Sequence, residues 1–143
     1  NYPNSGLSNT QNVRIIREFK DVFVANDEYK ELRGKTISLK DLKRFPILML
    51  DRKSTTSEFL HSMFQRHQLD LVPEIELSSN DLLIDLARIG LGVAFVPDYC
   101  IPDNERSLFK VQIEEELPTR QIVVASNDSL PISQAAKQFM EML

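Results

Sequence analysis

The sequence predicts an α/β fold in which helices flank a largely parallel β-sheet. Two runs of four apolar residues, Ile47–Leu50 and Val93–Val96, are typical of strands that are buried on both faces. Segments with helical periodicity stand between and around these runs, so that strands and helices alternate along the chain. Because such alternation usually produces parallel strands with helices packed against them, the pattern favours the α/β class.

The composition is that of a globular protein and argues against several other classes. The chain has 143 residues, 42% of them hydrophobic, which is enough for one domain or two small lobes with a genuine core. The formal net charge of −4 argues against a free-standing nucleic-acid binder, which needs a basic face. The longest apolar stretch, Phe45–Leu50, is far shorter than the roughly 20 residues of a membrane span. Cys100 is the only cysteine, so an intrachain disulfide and a multi-cysteine zinc site are excluded, and a reducing, cytoplasmic setting is expected.

The amino-terminal third is predicted to lead into the first buried strand. The polar segment Asn1–Asn12 lacks the basic and apolar character of an export signal and is typical of a flexible lead-in. Val22–Ala25 is an apolar run that fits a strand. Ser38 opens a short helix that Pro46 stops, and the buried strand Ile47–Leu50 follows.

A longer helix is predicted after this strand, opened by a capping box of Thr55 and Glu58 and ending near Gln68. The apolar residues on one of its faces are Phe59, Leu60, Met63 and Phe64. In Glu74–Leu77 apolar and acidic residues alternate, which predicts a strand.

A second long helix is predicted next, where Ser78, Ser79 and Asn80 are all suitable caps. Its apolar residues are Leu82, Leu83, Leu86 and Ile89. Gly90 and Gly92 end it before the strand Val93–Val96, which Pro97 closes.

The last part of the chain is predicted to contain a short turn at Asp98–Pro102 and strands at Phe109–Ile113 and Ile122–Ala125. The closing segment has the spacing of an amphipathic helix in its apolar residues, Ile132, Ala135, Ala136, Phe139, Met140 and Leu143.

Two strand-to-helix loops, Leu50–Ser57 and Leu77–Asp81, have the same chemistry, since each offers hydroxyl groups and the N–H groups of a helix start. In a parallel sheet these loops lie together at the carboxyl ends of the strands, where ligands bind. A carboxylate, sulfate or phosphate suits them because the positive end of a helix dipole stands behind each. For a single hydroxyl, plain helix capping is the more common role. Two such loops on neighbouring strands favour a small-ligand site.

Other candidate sites find little support in the sequence. His61 and His67 lie six positions apart on a helix and point in diverging directions, which disfavours a shared metal ion. Cys100 belongs to no catalytic motif and is interpreted as a small buried residue. The acidic run Glu114–Glu116 is interpreted as a solvated turn, and phosphate-binding and nucleophile-elbow motifs are absent. The sequence therefore gives no positive support to an enzyme.

The stretch Ser78–Pro97, SSNDLLIDLARIGLGVAFVP, resembles a segment of the effector-binding domain of LysR-type transcriptional regulators. In that segment a helix cap, a helix, a Gly-Leu-Gly turn, an apolar strand and a proline follow one another. The surroundings agree, because Ile37–Leu42 and Phe45–Leu50 are similar to the family's short helix and the buried strand after it. Asp51–Phe59 stands where the family's ligand loop and helix begin, and the similarity extends from about Val13 to Leu143.

The resemblance implies a periplasmic-binding-protein-like fold that binds a small anionic effector between two α/β lobes, without a cofactor, metal ion or catalysis. It implies that residues 1–12 are a lead-in near the hinge, with Asn1–Pro3 at the cleft. Residues 13–125 would form the second lobe with the crossover strands, and residues 126–143 the returning helix of the first lobe. The family's ligand contacts correspond to Arg52, Lys53, Ser54 and Thr55 in one loop and to Leu77, Ser78 and Ser79 in the other.

The sequence also departs from the family pattern. It lacks the winged helix-turn-helix domain through which such regulators bind DNA, the linker helix, and the opening elements of the first lobe. The resemblance further implies side-by-side self-association of the intact protein. A face made by Phe59, Met63 and Phe64 is expected to serve the core, the partner, or both.

Two other functions share this fold, namely a solute-binding receptor of an uptake system and an enzyme. The lack of a visible export signal and the pattern of the closing helix favour the sensing module over the receptor. An enzyme would need a catalytic constellation that the sequence does not contain.

Overall fold

A computed structural model describes residues 11–127, 129 and 131–143. The strands are β1 (Gln11–Ala25), β2 (Thr36–Ile37), β3 (Ile47–Leu50), β4 (Ile75–Leu77), β5 (Val93–Pro97), β6 (Phe109–Ile113) and β7 (Thr119–Asn127). The α-helices are α1 (Leu39–Leu42), α2 (Thr55–Arg66), α3 (Asn80–Arg88) and α4 (Gln134–Met142). Short 3-10 helices occupy Asp27–Leu32 and Asp98–Cys100. The predicted elements are thus present, and the predicted lead-in, including Asn1–Pro3, lies outside the described residues except for Gln11 and Asn12, which belong to β1.

The chain divides into two compact units. A central unit consists of Lys20–Pro118, and the described residues of a terminal unit lie within 11–19 and 119–143. In the central unit the strand order is β2-β6-β1-β5-β3-β4. The pairs β2–β6, β3–β4 and β3–β5 are parallel, whereas β1 runs antiparallel to both β5 and β6. The class is α/β as predicted, with one antiparallel crossover strand in an otherwise parallel sheet.

The strands β3 and β5 lie in the interior of this sheet, and every residue of both is buried. Alternate side chains enter two separate cores, because successive residues of a strand point to opposite faces. On one face Met49 and Phe95 pack with Leu60 and Phe64 of α2. On the other, Leu48 and Ala94 pack with α3, whose core residues are Leu83, Ile84 and Ala87. Two unbroken apolar runs therefore require a helix on each face, as the sequence indicated.

The face of α3 predicted from its apolar residues is correct only in part, because Leu83 and Leu86 pack against the core and two other predicted residues do not. Leu83 is fully buried, but Leu82 and Ile89 are 46% and 68% exposed, and the core is completed by Ile84 and Ala87 instead. Small side chains at Ala87 and Ala94 bring α3 close to β5, so the larger apolar residues at the ends of the helix are left outside.

Glycine is required at each of the two positions after α3 for a different structural reason. Gly90 has a φ of +79°, a left-handed conformation that ends the helix and that glycine adopts without strain. At Gly92 a Cβ atom would stand 2.5 Å from the carbonyl oxygen of Pro46, which itself accepts a hydrogen bond from the Val93 N–H group. The Gly-Leu-Gly segment thus combines a helix stop with a close backbone approach.

The carboxyl end of α3 is fixed by polar contacts from several segments. The side-chain amide of Asn26 donates to the Arg88 carbonyl oxygen at 2.9 Å, and the Tyr29 hydroxyl donates to that of Gly90 at 3.2 Å. The Arg88 guanidinium forms an ion pair with Glu105 at 2.7 Å, and the Glu105 side chain is only 9% exposed. These contacts fix the helix relative to the loop that precedes β6.

The terminal unit contains β7 and α4. Ser133 caps α4 by accepting a hydrogen bond from Ala136 N–H at 3.2 Å, and Arg14 donates to the Met140 carbonyl oxygen at 3.0 Å. No residue of α4 is buried in this chain, and its Phe139 and Met142 are 56% and 83% exposed. The helix is amphipathic as predicted. None of the helices in the described part of the chain has the length and apolar character needed to cross a bilayer.

The ion pair between Arg88 and Glu105 predicts a loss of stability in acid. Burial by itself would raise the pKa of Glu105, but hydrogen bonds from Arg88 and from the backbone of Ser107 and Arg106, with the charge of Arg88, lower it overall. A lowered carboxyl pKa stabilises the folded state above the ordinary value of 4.5, and this contribution is lost as the pH falls through the lowered value. We expect Glu105→Gln to have a lower free energy of unfolding than the wild type at pH 7. The difference between the two proteins is expected to narrow as the pH falls below 4.5, as measured by urea denaturation at several pH values. A gap that is the same at every pH would contradict this assignment.

Candidate functional site

The two predicted loops lie side by side in the central unit. They follow β3 and β4, which are adjacent and parallel, and Leu50 pairs with Leu77 at their last positions. The N–H group of Asp51 donates to the carbonyl oxygen of Leu77 at 2.8 Å, so the pairing continues one residue into the first loop. The starts of α2 and α3 are thereby held at the same edge of the sheet.

The first loop is a turn built on Asp51. One carboxylate oxygen of Asp51 accepts a hydrogen bond from the Lys53 N–H group at 3.1 Å. The backbone carbonyl oxygen of Asp51 accepts one from the Ser54 N–H group at 3.0 Å. Ser54 is the N-cap of α2, since its hydroxyl accepts from the N–H group of Ser57 at 3.0 Å. The prediction that Thr55 caps this helix in a box with Glu58 was wrong by one residue, because the Asp51 turn already places Ser54 at the helix start.

The second loop is shorter and starts its helix directly. Ser79 is the N-cap of α3, and its hydroxyl accepts from the N–H group of Leu82 at 3.3 Å. Ser78, one residue earlier, is exposed and takes no part in the cap, whereas Leu77 is half-buried as the last residue of β4. This loop therefore combines one capping hydroxyl with one that faces solvent.

The structure brings all of the predicted site residues into two neighbouring segments, but gives them different surroundings. Arg52 and Lys53 are exposed, and Ser54 and Thr55 are half-buried at the start of α2. Two hydroxyls of the capping segments, those of Ser54 and Ser79, are already engaged as caps. What the two helix starts offer in common is the positive end of the dipole and the N–H groups of the first turn.

Sequence reasoning gave no ligand role to two polar residues at these helix starts. Ser57 is fully buried, and its hydroxyl oxygen has no hydrogen-bond partner; the side-chain oxygen of Asn80 is likewise buried without one. Both residues stand within the loops that the sequence singled out, but their burial depends on how α2 and α3 pack and leaves no trace in the residue pattern.

The histidine and cysteine residues considered as candidate sites are not brought together in the described part of the chain. Within the described residues, no group of three or more histidine, cysteine, aspartate or glutamate side chains is placed to hold a metal ion. His61 is half-buried within α2, while His67 is exposed at its carboxyl end. Cys100 is partly buried and packs against the core on the α3 side of the sheet.

The corrected cap at α2 predicts unequal effects of two neighbouring substitutions. Ser54→Ala removes the hydroxyl that accepts from Ser57 N–H and is expected to lower the free energy of unfolding by about 1 kcal/mol. Thr55→Ala, at the first helical position, is expected to cost clearly less, because it removes no cap. Urea denaturation of both variants measures the difference, and equal losses would return the cap to Thr55.

Comparison with known proteins agrees with this architecture. The chain matches the family "LysR substrate binding domain" over residues 7–143. It is 26% identical over 140 residues to the HTH-type transcriptional regulator BsdA of Bacillus subtilis, covering 94% of this chain and 48% of BsdA. It is 28% identical over 90 residues to the HTH-type transcriptional activator CmpR of Synechocystis, covering 63% of this chain and 30% of CmpR.

Solved structures have the same fold. The regulatory domain of CcmR from Synechocystis PCC6803, in complex with 2-PG, is similar with a TM-score of 0.82 and 21% identity, over 98% of this chain and 67% of that one. The effector-binding domain of QuiR, in complex with shikimate, has a TM-score of 0.79 and 16% identity, over 96% and 66%. The chain thus spans about half the length of BsdA, and it belongs to the LysR substrate-binding domain family.

Proposed function

We propose that this chain is the effector-sensing part of a LysR-type transcriptional regulator and that its central unit binds a small anionic metabolite at the two loops. The observation that carries the proposal is the pairing of Leu50 with Leu77, which holds the starts of α2 and α3 at one edge of the sheet. Two relatives of the same fold are solved with small molecules, 2-PG in one and shikimate in the other.

The physical case for an anion rests on the two helix starts. Each supplies N–H groups that the helix itself does not use and the positive end of its dipole, which together favour a carboxylate or phosphate. Arg52 and Lys53 add positive charge beside the first start. Ser78 offers a hydroxyl that no cap consumes. The remaining proposed contacts are Thr55, Ser54, Ser79 and Leu77.

The proposed role is binding without turnover. Members of the family are transcriptional regulators, and the two curated relatives are HTH-type regulators of which this chain spans 48% and 30%. We propose that DNA is bound by a winged helix-turn-helix domain outside this chain, that the protein acts in the cytoplasm, and that residues 13–125 and 126–143 belong to the second and first lobes of the sensor.

Binding at the two loops predicts a matched pair of effects in the full-length regulator. A panel of organic acids that includes 2-phosphoglycolate and shikimate is screened by thermal unfolding, and at least one is expected to raise the Tm. For that compound, Thr55→Val and Ser78→Ala are each expected to weaken binding about tenfold to a hundredfold in calorimetric titration, since a lost hydrogen bond to a charged ligand costs about 1.5–3 kcal/mol.

Ser78→Ala removes no helix cap, so the stability of this unliganded variant is expected to stay close to that of the wild type. The free energy of unfolding of Thr55→Val is measured alongside, so that its binding is compared at known stability. Lys110→Ala, on exposed β6 surface, serves as the control and is expected to bind normally. If Thr55→Val and Ser78→Ala both bind the organic acid as tightly as the wild type, the proposed ligand contacts of these two residues are contradicted.

The intact regulator is also proposed to self-associate, using the side of α2 that the core leaves accessible at Phe59, Ser62 and Arg66. Met63 and Phe64 are buried in the core of the central unit, whereas Phe59 is half-buried and Ser62 and Arg66 are exposed on the same helix. Sedimentation of the full-length protein is expected to give a dimer or higher oligomer, and Arg66→Glu to shift it towards the monomer. A strict monomer would contradict this part of the proposal.

A further inference from the structure

A groove of about 590 Å³ runs along one side of α2 in the central unit. Residues spaced one turn apart on the helix, Ser57, His61 and Gln65, line one wall, and the segment 69–72 before β4 lines the other. Arg52 stands at the end nearest the helix start. Arg52 and Ser57 belong to the first loop as well, but of the proposed effector contacts only Arg52 lines the groove.

The groove contains a buried polar group that the fold leaves unused. Ser57 is fully buried, yet its hydroxyl has no hydrogen-bond partner. Its backbone N–H group is committed to the cap at Ser54, so the hydroxyl is the only polar group of Ser57 that faces the groove unpaired. A buried, unsatisfied hydroxyl is costly to retain, and a ligand atom that pairs with it recovers that cost.

A second such group lies one turn further along. The Nε2 atom of His61 is buried and has no hydrogen-bond partner. Burial lowers the pKa of His61, the charge of Arg52 lowers it further, and Glu76 on β4 acts in the opposite direction. The ring is therefore neutral at neutral pH, and it offers a groove ligand one polar atom without repelling a cation.

The charges in the groove select for a molecule that carries both signs. Arg52 contributes a guanidinium group, while Glu58 and Asp70 contribute two carboxylates. A molecule with a carboxylate and an ammonium group is able to pair with both kinds of charge. The apolar side chains of Leu69, Leu71 and Val72 complete the opposite wall.

We propose that this groove is a second ligand site, for a small zwitterion with an apolar side chain, such as an aliphatic α-amino acid. The ligand carboxylate pairs with Arg52 and the Ser57 hydroxyl, the ammonium group pairs with Glu58 or Asp70, and the side chain packs on Leu71. The helix start behind Ser57 favours the carboxylate at that end.

The test uses the full-length regulator with L-leucine and two analogues that each lack one charge. 4-Methylpentanoate keeps the carboxylate without the ammonium group, and 3-methylbutylamine keeps the ammonium group alone. L-leucine is expected to raise the Tm in thermal unfolding, and both analogues to bind at least tenfold more weakly in calorimetric titration. Absence of any L-leucine binding, or equal binding by either analogue, would overturn the zwitterion assignment.

Substitutions locate the ligand. Ser57→Ala is expected to weaken L-leucine binding about tenfold while leaving the unliganded protein as stable as the wild type, because the hydroxyl it removes is unpaired. Ser62→Ala, an exposed serine on the same helix outside the groove, is the matched control and is expected to bind normally. Normal binding by Ser57→Ala would overturn the site.

The imidazole of His61 supplies a readout that is independent of stability. Its NMR signal, identified by its loss in His61→Gln, is expected to shift on addition of L-leucine and to shift clearly less when L-leucine is added to Ser57→Ala. Thr55→Val is expected to leave L-leucine binding unchanged, so failure of either site is visible without the other. An L-leucine titration that leaves the His61 signal in place would also overturn the groove as the binding site.

Discussion

The central unit depends on burying β3 and β5 on both faces. The four consecutive apolar residues of β3 point alternately to both faces of the sheet, so neither face is able to remain exposed to water. A helix must therefore cover each side. The chain meets this demand with α2 on the side of Met49 and α3 on the side of Leu48. The parallel order β5-β3-β4 follows, because each strand must return to the same end of the sheet through one of these helices.

The candidate effector site is a consequence of this packing. When parallel strands are joined by covering helices, the helix starts collect at the carboxyl edge of the strands, and the Leu50–Leu77 pairing makes two of them neighbours. Ser54 and Ser79 stabilise those starts as caps. Among the proposed contacts, Thr55 and Ser78 take no part in the caps, so substitutions at these two positions separate the proposed binding role from capping.

The packing also explains why polar groups are left unpaired. The turn at Asp51 places Ser54 at the cap, and this commits Ser57 N–H and brings the Ser57 side chain onto the covered side of α2. One turn later His61 follows on the same side of α2, where the charges of Arg52 and Glu76 act on its ring. The groove therefore offers a hydroxyl and an imidazole in addition to charged groups of both signs.

The residue pattern was enough to predict the class of fold, the two buried strands, the long helices and the two loops, because each depends on local periodicity or on a cap and its first turn. Gly-Leu-Gly with its flanking helix and strand was enough to indicate the family. Ser54 is the cap instead of Thr55 because of the turn at Asp51, which the capping pattern alone did not reveal. Ile84 and Ala87 enter the core, and Leu82 and Ile89 do not, because of how α3 packs on strands distant in the sequence. The length of β1 was underestimated for the same reason, since only Val22–Ala25 has an apolar run and the rest is held by pairing with other strands. The unpaired atoms of Ser57 and His61 have no sequence signal at all, because whether a polar atom finds a partner is decided only when α2, its preceding turn and the segment before β4 come together.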